Sequence, residues 1–410
     1  GYGTHGVFFD YDRDGDLDLY LLNNSYQAIG SFNLQKNERP KRDSVGGDKL
    51  LRNDMVNSNG PSKQGFTDVS EEAGIYGSVI GFGLGVTVGD IDRDGWPDIY
   101  VSNDFFERDY LYMNNGDGTF RETLTESMNS ISAASMGADL ADINNDGYGE
   151  IFVTEMLPEP NIRVKTATTV ESWNRYQYNL ENDYYHQFTR NMLQRNNGDG
   201  TFSEIGRMSG VEATDWSWGA LIFDMDNDGY KDLFVANGIY QDLTNRDFLD
   251  FIGDEETKRS IITKEGVNYK ALVDAIPSNP VANYAYRNQG PKEDYRFQNT
   301  SKDWGLDFVG FSNGSAYGDL DNDGDLDLVM NNSNFPALVY RNHANEQNDN
   351  NYLAVELKGL PLNTAAFGAQ LFLYSNGEEQ FLEQMPGRGF ESTIDDRLHF
   401  GLGNAEQVDS

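Results

Sequence analysis

Five times along the chain, acidic side chains alternate through a nine-residue stretch that has Gly at its sixth position. The first copy holds Asp10, Asp12, Asp14, Asp16 and Asp18, and the second Asp90, Asp92, Asp94, Trp96 and Asp98. The third holds Asp142, Asn144, Asp146, Tyr148 and Glu150, and the fourth Asp224, Asp226, Asp228, Tyr230 and Asp232. The fifth holds Asp319, Asp321, Asp323, Asp325 and Asp327. Oxygens at positions 1, 3 and 5 can converge if the chain coils tightly, and Gly at position 6 permits that coil. Position 7 then adds its backbone carbonyl and position 9 a further carboxylate. Such an all-oxygen set suits Ca²⁺, whereas Mg²⁺ demands stricter octahedral geometry and retained waters. Four carboxylates gathered without a cation would repel one another by several pKa units. Up to five Ca²⁺ sites are therefore expected. Asp, Asn and Gly also make ordinary turns, but five copies with an acid at every ninth position argue for metal.

An EF-hand opens in the same way but needs flanking helices and Glu at position 12. Position 12 here is Leu21, Val101, Val153, Val235 and Met330. Each lies in a short apolar run of the kind that forms a buried strand, such as Ile99-Tyr100-Val101 or Leu233-Phe234-Val235. A strand–loop–strand site is expected instead.

The strands that position these loops repeat with them. Asn114-Asn115-Gly116-Asp117-Gly118-Thr119-Phe120 recurs as Asn196-Asn197-Gly198-Asp199-Gly200-Thr201-Phe202. This is a hairpin signal. Weaker copies are Arg52-Asn53 with Phe66, and Arg287-Asn288 with Phe297. From that Phe to the next loop's first Asp is 22 residues from Phe120, Phe202 and Phe297, and 24 from Phe66. The first Asp residues are spaced by 80, 52, 82 and 95. The minimal unit is near fifty residues, which suits a propeller blade. The fold expected is all-β: a β-propeller over residues 1–345 with a small β domain over 350–410. The excess length falls after the strand that follows each acidic loop, near residues 24–49, 155–191 and 238–283. In a ring these insertions emerge on one face, where recognition is usual. The last two have helical character, as in Asn245-Arg246-Asp247-Phe248-Leu249-Asp250-Phe251-Ile252.

The formal net charge is −36, from 67 acidic and 31 basic residues, which argues against nucleic acid or an anionic membrane surface as partner. No apolar run approaches the ~18 residues of a transmembrane segment. The chain has no Cys, which excludes disulfides and a thiol nucleophile. No signal or lipidation segment is visible. No nucleophile elbow, P-loop or zinc-protease motif occurs, and His5, His186, His343 and His399 lie at no ligand spacing. No catalytic residue is assigned. The aromatic stretch with Trp173, Tyr176, Tyr178, Tyr184 and Tyr185 is a candidate ligand face, weighed against packing of the insertion onto the blades.

These loops with their Gly-rich lead-ins resemble FG-GAP/VCBS-type repeats, known from integrin α-subunit propellers and bacterial surface proteins. The C-terminal part resembles the small ASPIC/UnbV β domain, through Asn351-Tyr352-Leu353, Asn363, Gly368-Ala369, Gly387-Arg388-Gly389-Phe390, Ser392 and His399-Phe400-Gly401-Leu402-Gly403. The insertion stretches Tyr184-Tyr185-His186-Gln187-Phe188 and Asp215-Trp216-Ser217-Trp218 are similar to those of large Bacteroidota VCBS-repeat lipoproteins. That resemblance implies an outer-membrane setting beside nutrient-uptake systems. Family propellers are commonly seven-bladed, so either blades are missing or the ring closes with the lone strand Leu338-Val339-Tyr340-Arg341-Asn342. Asn144 and Glu150 depart from the Asp usual at their positions, which would weaken the third site.

Two functions of different class follow as expectations. One is a non-enzymatic, calcium-stapled binding or scaffold module of the cell surface, taking a glycan or protein partner on its insertion face. The alternative is a calcium-dependent polysaccharide lyase or glycosidase. Loops of this type fill at extracellular rather than cytosolic calcium, which points outside the cytoplasm.

Overall fold

In the computed structural model, residues 2–25, 37–57, 60–61, 65–167, 172–254, 262–263, 266–267 and 269–410 are described. Parts of the three insertions (26–36, 168–171 and 255–261) lie outside them.

The repeats fold as five antiparallel sheets arranged as propeller blades. Each begins with an inner strand: Tyr2–Phe9, Gly83–Gly89, Ala138–Ala141, Ser217–Phe223 and Ser312–Gly318. The acidic loop follows, then a second strand that opens on the acid of position 9. These second strands are Asp18–Asn24, Asp98–Asn103, Glu150–Val153, Asp232–Asn237 and Asp327–Asn332. Third strands are Lys49–Asn53, Tyr110–Asn114, Met192–Asn196, Tyr284–Asn288 and Leu338–Tyr340. A short outer strand completes blades 1 to 4, at Phe66–Asp68, Phe120–Glu122, Phe202–Glu204 and Phe297–Asn299. The segment at Leu338 is thus the third strand of blade 5, paired with that blade's own second strand.

Alternation within each strand puts side chains on both faces of a blade, and neighbouring blades bury them against each other. In blade 2, Val88, Ile99 and Tyr112 lie side by side across three strands and pack on Val7, Tyr20 and Leu50 of blade 1. The opposite face of blade 2, with Tyr100 and Leu111, packs on Ile151 and Met192 of blade 3. Both faces must be apolar, so the strands read as continuous apolar runs rather than alternating ones. Fully burying each such large side chain contributes roughly 1.5–3 kcal/mol.

The insertions carry the helices expected of them, at Asn161–Thr166, Trp173–Glu181 and Arg246–Gly253. Ser172 and Asn245 cap the last two by accepting from Arg175 N and Phe248 N.

The C-terminal module pairs Asn351–Val355 with Leu398–Gly403 and Gln370–Ser375 with Glu378–Glu383. It rests on the acidic-loop side of the propeller. Tyr352 covers Gly324, the His399 Nε2 lies 2.7 Å from Asn227 Oδ1, and Gln370 donates to Asp90. The segment from Glu383 to Asp395 runs along the inner strands of all five blades. Gly387 meets Val7, the Glu383 carboxylate accepts from Asp90 N just past the inner strand of blade 2, and Phe390 fills the space beside Gly137 and Gly219. Ser392 approaches Gly314, and Asp395 N donates to the Tyr317 carbonyl. Gly137 leaves no room for a side chain, since a Cβ there would lie 2.6 Å from the Trp218 carbonyl oxygen.

Candidate metal centres

Each acidic loop is wound by its own carboxylates. Position 1 accepts from the backbone N–H groups of positions 5 and 6, as Asp10 does from Asp14 and Gly15, and Asp224 from Asp228 and Gly229. Position 5 accepts from position 7, as Asp94 does from Trp96 N and Asp146 from Tyr148 N. These bonds need a left-handed residue at position 4 and a second at Gly of position 6. Position 4 is Arg13, Arg93, Asn145, Asn227 and Asn322, with φ between 55° and 64°. Gly15, Gly95, Gly147, Gly229 and Gly324 have φ between 84° and 95°.

Position 9 has a second task that the sequence pattern did not reveal. Its two oxygens bolt the loop to the third strand. Asp18 accepts from Tyr11 N and Asn53 N, Asp98 from Ile91 N and Asn114 N, Asp232 from Met225 N and Asn288 N, and Asp327 from Leu320 N and Asn342 N.

Four of the loops bring three carboxylates together, with ligand-capable oxygens all within 4.8 Å of one another. They are Asp10, Asp12 and Asp18; Asp90, Asp92 and Asp94; Asp224, Asp226 and Asp232; and Asp319, Asp321 and Asp327. The donor set is all oxygen, as calcium requires. Asp12 Oδ1 and Asp226 Oδ1 are buried with no hydrogen-bond partner, so each has an unused acceptor inside its cluster. Burial and the neighbouring carboxylates push Asp18 and Asp224 up to about 8, and burial raises Asp98 and Asp232 well above the usual carboxylate range. Such acids favour a proton or a cation over bare charge. In loops 4 and 5 a guanidinium supplies part of that charge. Arg287 bridges Asp226 and Asp228, and Arg341 bridges Asp321 and Asp323, at 2.8–2.9 Å.

The third loop differs. Asp142, Asn144, Asp146 and Glu150 form no such three-carboxylate group among the described residues. The Asn144 amide turns onto Asp146 Oδ2 at 2.9 Å. Lys231, whose Nζ has no hydrogen-bond partner, lies buried near Asp142, Asp224 and Glu150, and burial lowers its pKa against their opposing attraction.

Position 7 side chains take no part in the clusters of loops 2, 3 and 4. Trp96, Tyr148 and Tyr230 lie against Gly116, Gly198 and Gly290, the glycines that follow the third strands. Asp16 and Asp325, at the same position of loops 1 and 5, are buried and keep one unpartnered oxygen each. Asp14 completes loop 1, accepting from Asp16 N.

The candidate aromatic face does not assemble. Tyr184 is 4% exposed in a cluster with Val79 and Ile80. Tyr185 donates its hydroxyl to the Met128 carbonyl at 2.7 Å. Tyr176 is half-buried, with its hydroxyl 2.7 Å from His186 Nδ1. Trp173 is left standing 71% exposed. Packing within and beneath the insertion consumes Tyr176, Tyr184 and Tyr185, because amphipathic rings bury where their hydroxyls find partners.

Two networks missed at the sequence level join the loops around the ring. Position 4 reaches the next blade: Arg13 lies over Trp96, Arg93 over Tyr148, Asn145 donates to Gly229 O and Asn227 to Gly324 O. The restriction of position 4 to Arg and Asn was the available signal. The Asn that ends the third strand of blades 2 to 4, and Asn342 just past that of blade 5, donate to the preceding blade's loop: Asn114 to Tyr11 O, Asn196 to Ile91 O, Asn288 to Ile143 O and Asn342 to Met225 O.

A family model described as FG-GAP-like repeat matches residues 90–153 and 184–235, and one described as ASPIC and UnbV matches residues 359–410. Cartilage acidic protein 1 of Homo sapiens is 24% identical over 263 residues, covering 56% of this chain and 37% of that protein. Integrin alpha-7 of Homo sapiens is 38% identical over 84 residues, covering 18% of this chain and 7% of that one. The match thus spans little more than a third of the cartilage protein's own length. A solved structure, that of the V. cholerae biofilm matrix protein Bap1, aligns at 14% identity over 91% of this chain and 45% of that one, with a TM-score of 0.34. The chain is a five-blade β-propeller with FG-GAP-like repeats at residues 90–153 and 184–235 and an ASPIC and UnbV match at residues 359–410.

Proposed function

We propose that this protein is a calcium-stapled, non-enzymatic binding or scaffold module that works outside the cytoplasm. The observation that carries the reading is the convergence of three carboxylates in each of four loops. Unused buried oxygens at Asp12 and Asp226 add to it. Calcium would be held by Asp10, Asp12 and Asp18 in blade 1 and by the equivalent acids of blades 2, 4 and 5. It would supply the charge that lets these loops stay wound with every acid ionised. Filling at millimolar calcium accords with relatives that include an integrin and a cartilage protein.

The C-terminal module covers the acidic-loop side, so the insertion side is the face left for a partner. A glycan or a protein at the cell surface is the partner class, and an accessory place in an outer-membrane uptake complex is the setting. Among the described residues no helix is long and apolar enough to cross a membrane. Trp173 is the exposed aromatic anchor on that side.

The test is a calcium-replete screen against polysaccharides and surface proteins that reads both retention and chain shortening. Retention lost on Trp173→Ala supports the reading. Shortening of a polysaccharide overturns it in favour of a lyase or glycosidase.

A further inference from the structure

Two departures from the repeat meet at one seam. Position 3 of the acidic loop is Asp in loops 1, 2, 4 and 5 but Asn144 in loop 3. Position 8 is Leu17, Pro97, Gly149 and Leu326 in loops 1, 2, 3 and 5 but Lys231 in loop 4. The ring brings these two loops together. One amide, Asn288 Nδ2, donates to Lys231 O at 3.0 Å and to Ile143 O of loop 3 at 2.8 Å. Asn145 of loop 3 donates to Gly229 O, just before Lys231, at 3.0 Å. The lysine therefore stands against the loop that, among the described residues, gathers no carboxylate trio.

Lys231 is 4% exposed and its Nζ makes no hydrogen bond, so charge is what it offers its surroundings. Asp142 and Glu150 of loop 3 and Asp224 of its own loop face it. Burial raises the Asp142 carboxyl, and the charge of Lys231 is the strongest pull in the other direction. The other cation near Lys231 is Arg388, whose guanidinium is already engaged by Asp139, the Ile222 carbonyl and the Tyr317 hydroxyl. A buried ammonium without acids would shed its proton, and buried acids without a cation would take one up. Each is tolerated because the other is there. The cavity that Lys231 lines with Asp224, Gln380 and Arg388 measures about 40 Å³, which is room for a few waters and not for an organic anion.

We infer that loop 3 takes its cation from the chain itself: the Lys231 ammonium, brought across the seam from blade 4, neutralises Asp142 and Glu150 in place of calcium. The inference rests on the calcium reading above only for the other four loops. Asn144 fits it. A tethered single charge needs fewer acids than a divalent ion, and the Asn144 amide donates to Asp146 instead of serving a metal. A calcium ion in loop 3 would meet the ammonium in a dry interior and be repelled. The seam between blades 3 and 4 is thereby held by fixed charge whatever the calcium concentration. Arg388 holds the same seam from the axis, through Asp139 of blade 3 and the Ile222 carbonyl of blade 4.

Two measurements on the 410-residue chain test this. Calcium titrated calorimetrically should fill four sites, one for each trio, in the native chain and also in Asn144→Asp, where the ammonium still stands against the restored acid. A fifth ion is expected once Asn144→Asp is combined with Lys231→Met. Separately, Lys231→Met keeps the length of the side chain and removes its charge, and it should lower the Tm by roughly 3–5 °C in saturating calcium. Adding Glu150→Gln should recover most of that loss. A native chain that binds five ions, and four after Asp146→Ala, overturns the inference, and this arm needs no Lys231 variant to fold. A Tm loss in Lys231→Met that Glu150→Gln does not recover overturns it too, since packing alone would then explain the lysine. A native chain that binds no calcium sinks the calcium reading instead, and the pair of Tm values still decides the role of Lys231.

Discussion

Arg388 and Asp139 stand 249 residues apart in sequence and form a two-point ion pair on the propeller axis, with Nε 2.8 Å from Oδ1 and Nη2 2.7 Å from Oδ2. The same guanidinium donates to the Ile222 carbonyl and the Tyr317 hydroxyl, so one side chain of the C-terminal module ties the inner strands of blades 3, 4 and 5. The Asp139 side chain is fully buried. A charge so placed is tolerated because its partner meets it in fork geometry.

Asp139→Ala leaves Arg388 buried without its counter-ion. A loss of about 3–5 kcal/mol is expected, together with faster proteolysis within residues 350–410. The double variant Asp139→Leu with Arg388→Met should recover much of the melting temperature. Equal melting of Asp139→Ala and the native chain would show that the axial pair holds nothing.

Calcium should stabilise the chain strongly. Each site filled at about a hundredfold over its Kd contributes about 2.7 kcal/mol if the unfolded chain binds none. Excess chelator that empties four such sites is expected to lower the Tm by well over 5 °C, since an unfolding entropy of about 2.1 cal/mol/K per residue gives roughly 1 °C per kcal/mol for 410 residues. Asp226→Ala should abolish part of that calcium response, and Asp146→Ala, in the loop that gathers no carboxylate trio, should leave it nearly intact. A calorimetric scan unmoved by chelator would refute the metal centres.

A separate pH dependence resides on the insertion side. Asp48 accepts from Asn23 N and the Tyr20 hydroxyl, and Asp109 from Asn103 N, the Tyr100 hydroxyl and Ser135. Burial pushes both carboxyls up to about 7. A raised pKa means that the folded state holds protons the unfolded chain has released. Stability is therefore greatest near pH 4 for these groups and falls as pH rises through 7. Blades 3 and 4 place Asn191 and Asn283 in the same role, accepting from Glu155 N and Asn237 N. Asp48→Asn with Asp109→Asn should raise the Tm at pH 8 and leave it nearly unchanged at pH 4.5. An unchanged Tm at pH 8 would mean that both acids ionise without cost.

The inter-blade Asn residues should differ by position. Asn196→Ala strands the buried Ile91 carbonyl and is expected to cost about 1–3 kcal/mol. Asn53→Ala in this chain breaks the bonds to Leu17 O and from Met55 N, both within its own blade, and should cost less. Urea midpoints of the two variants, at constant slope, decide it.

Much of the site was legible because its signal is local. An acid at every second position with Gly at the sixth can fold only as a tight loop, and the apolar residue at position 12 places that loop before a strand. The aromatic stretch from Trp173 to Tyr185 left two readings open for the converse reason: side-chain chemistry alone does not say whether a Tyr hydroxyl meets solvent or the Met128 carbonyl. The third loop kept its pattern yet lost its carboxylate trio through one amide, Asn144, which donates where Asp could only accept.

By itself the sequence determined the repeat, the acidic loops and the all-β class, since turn chemistry and strand composition act over a few residues. Tertiary structure decided which oxygens converge, that Arg388 crosses the axis to Asp139, and that Lys231 lies buried near Asp142 and Glu150. Those outcomes depend on contacts between residues tens to hundreds of positions apart, and no local pattern encodes which blade face meets another.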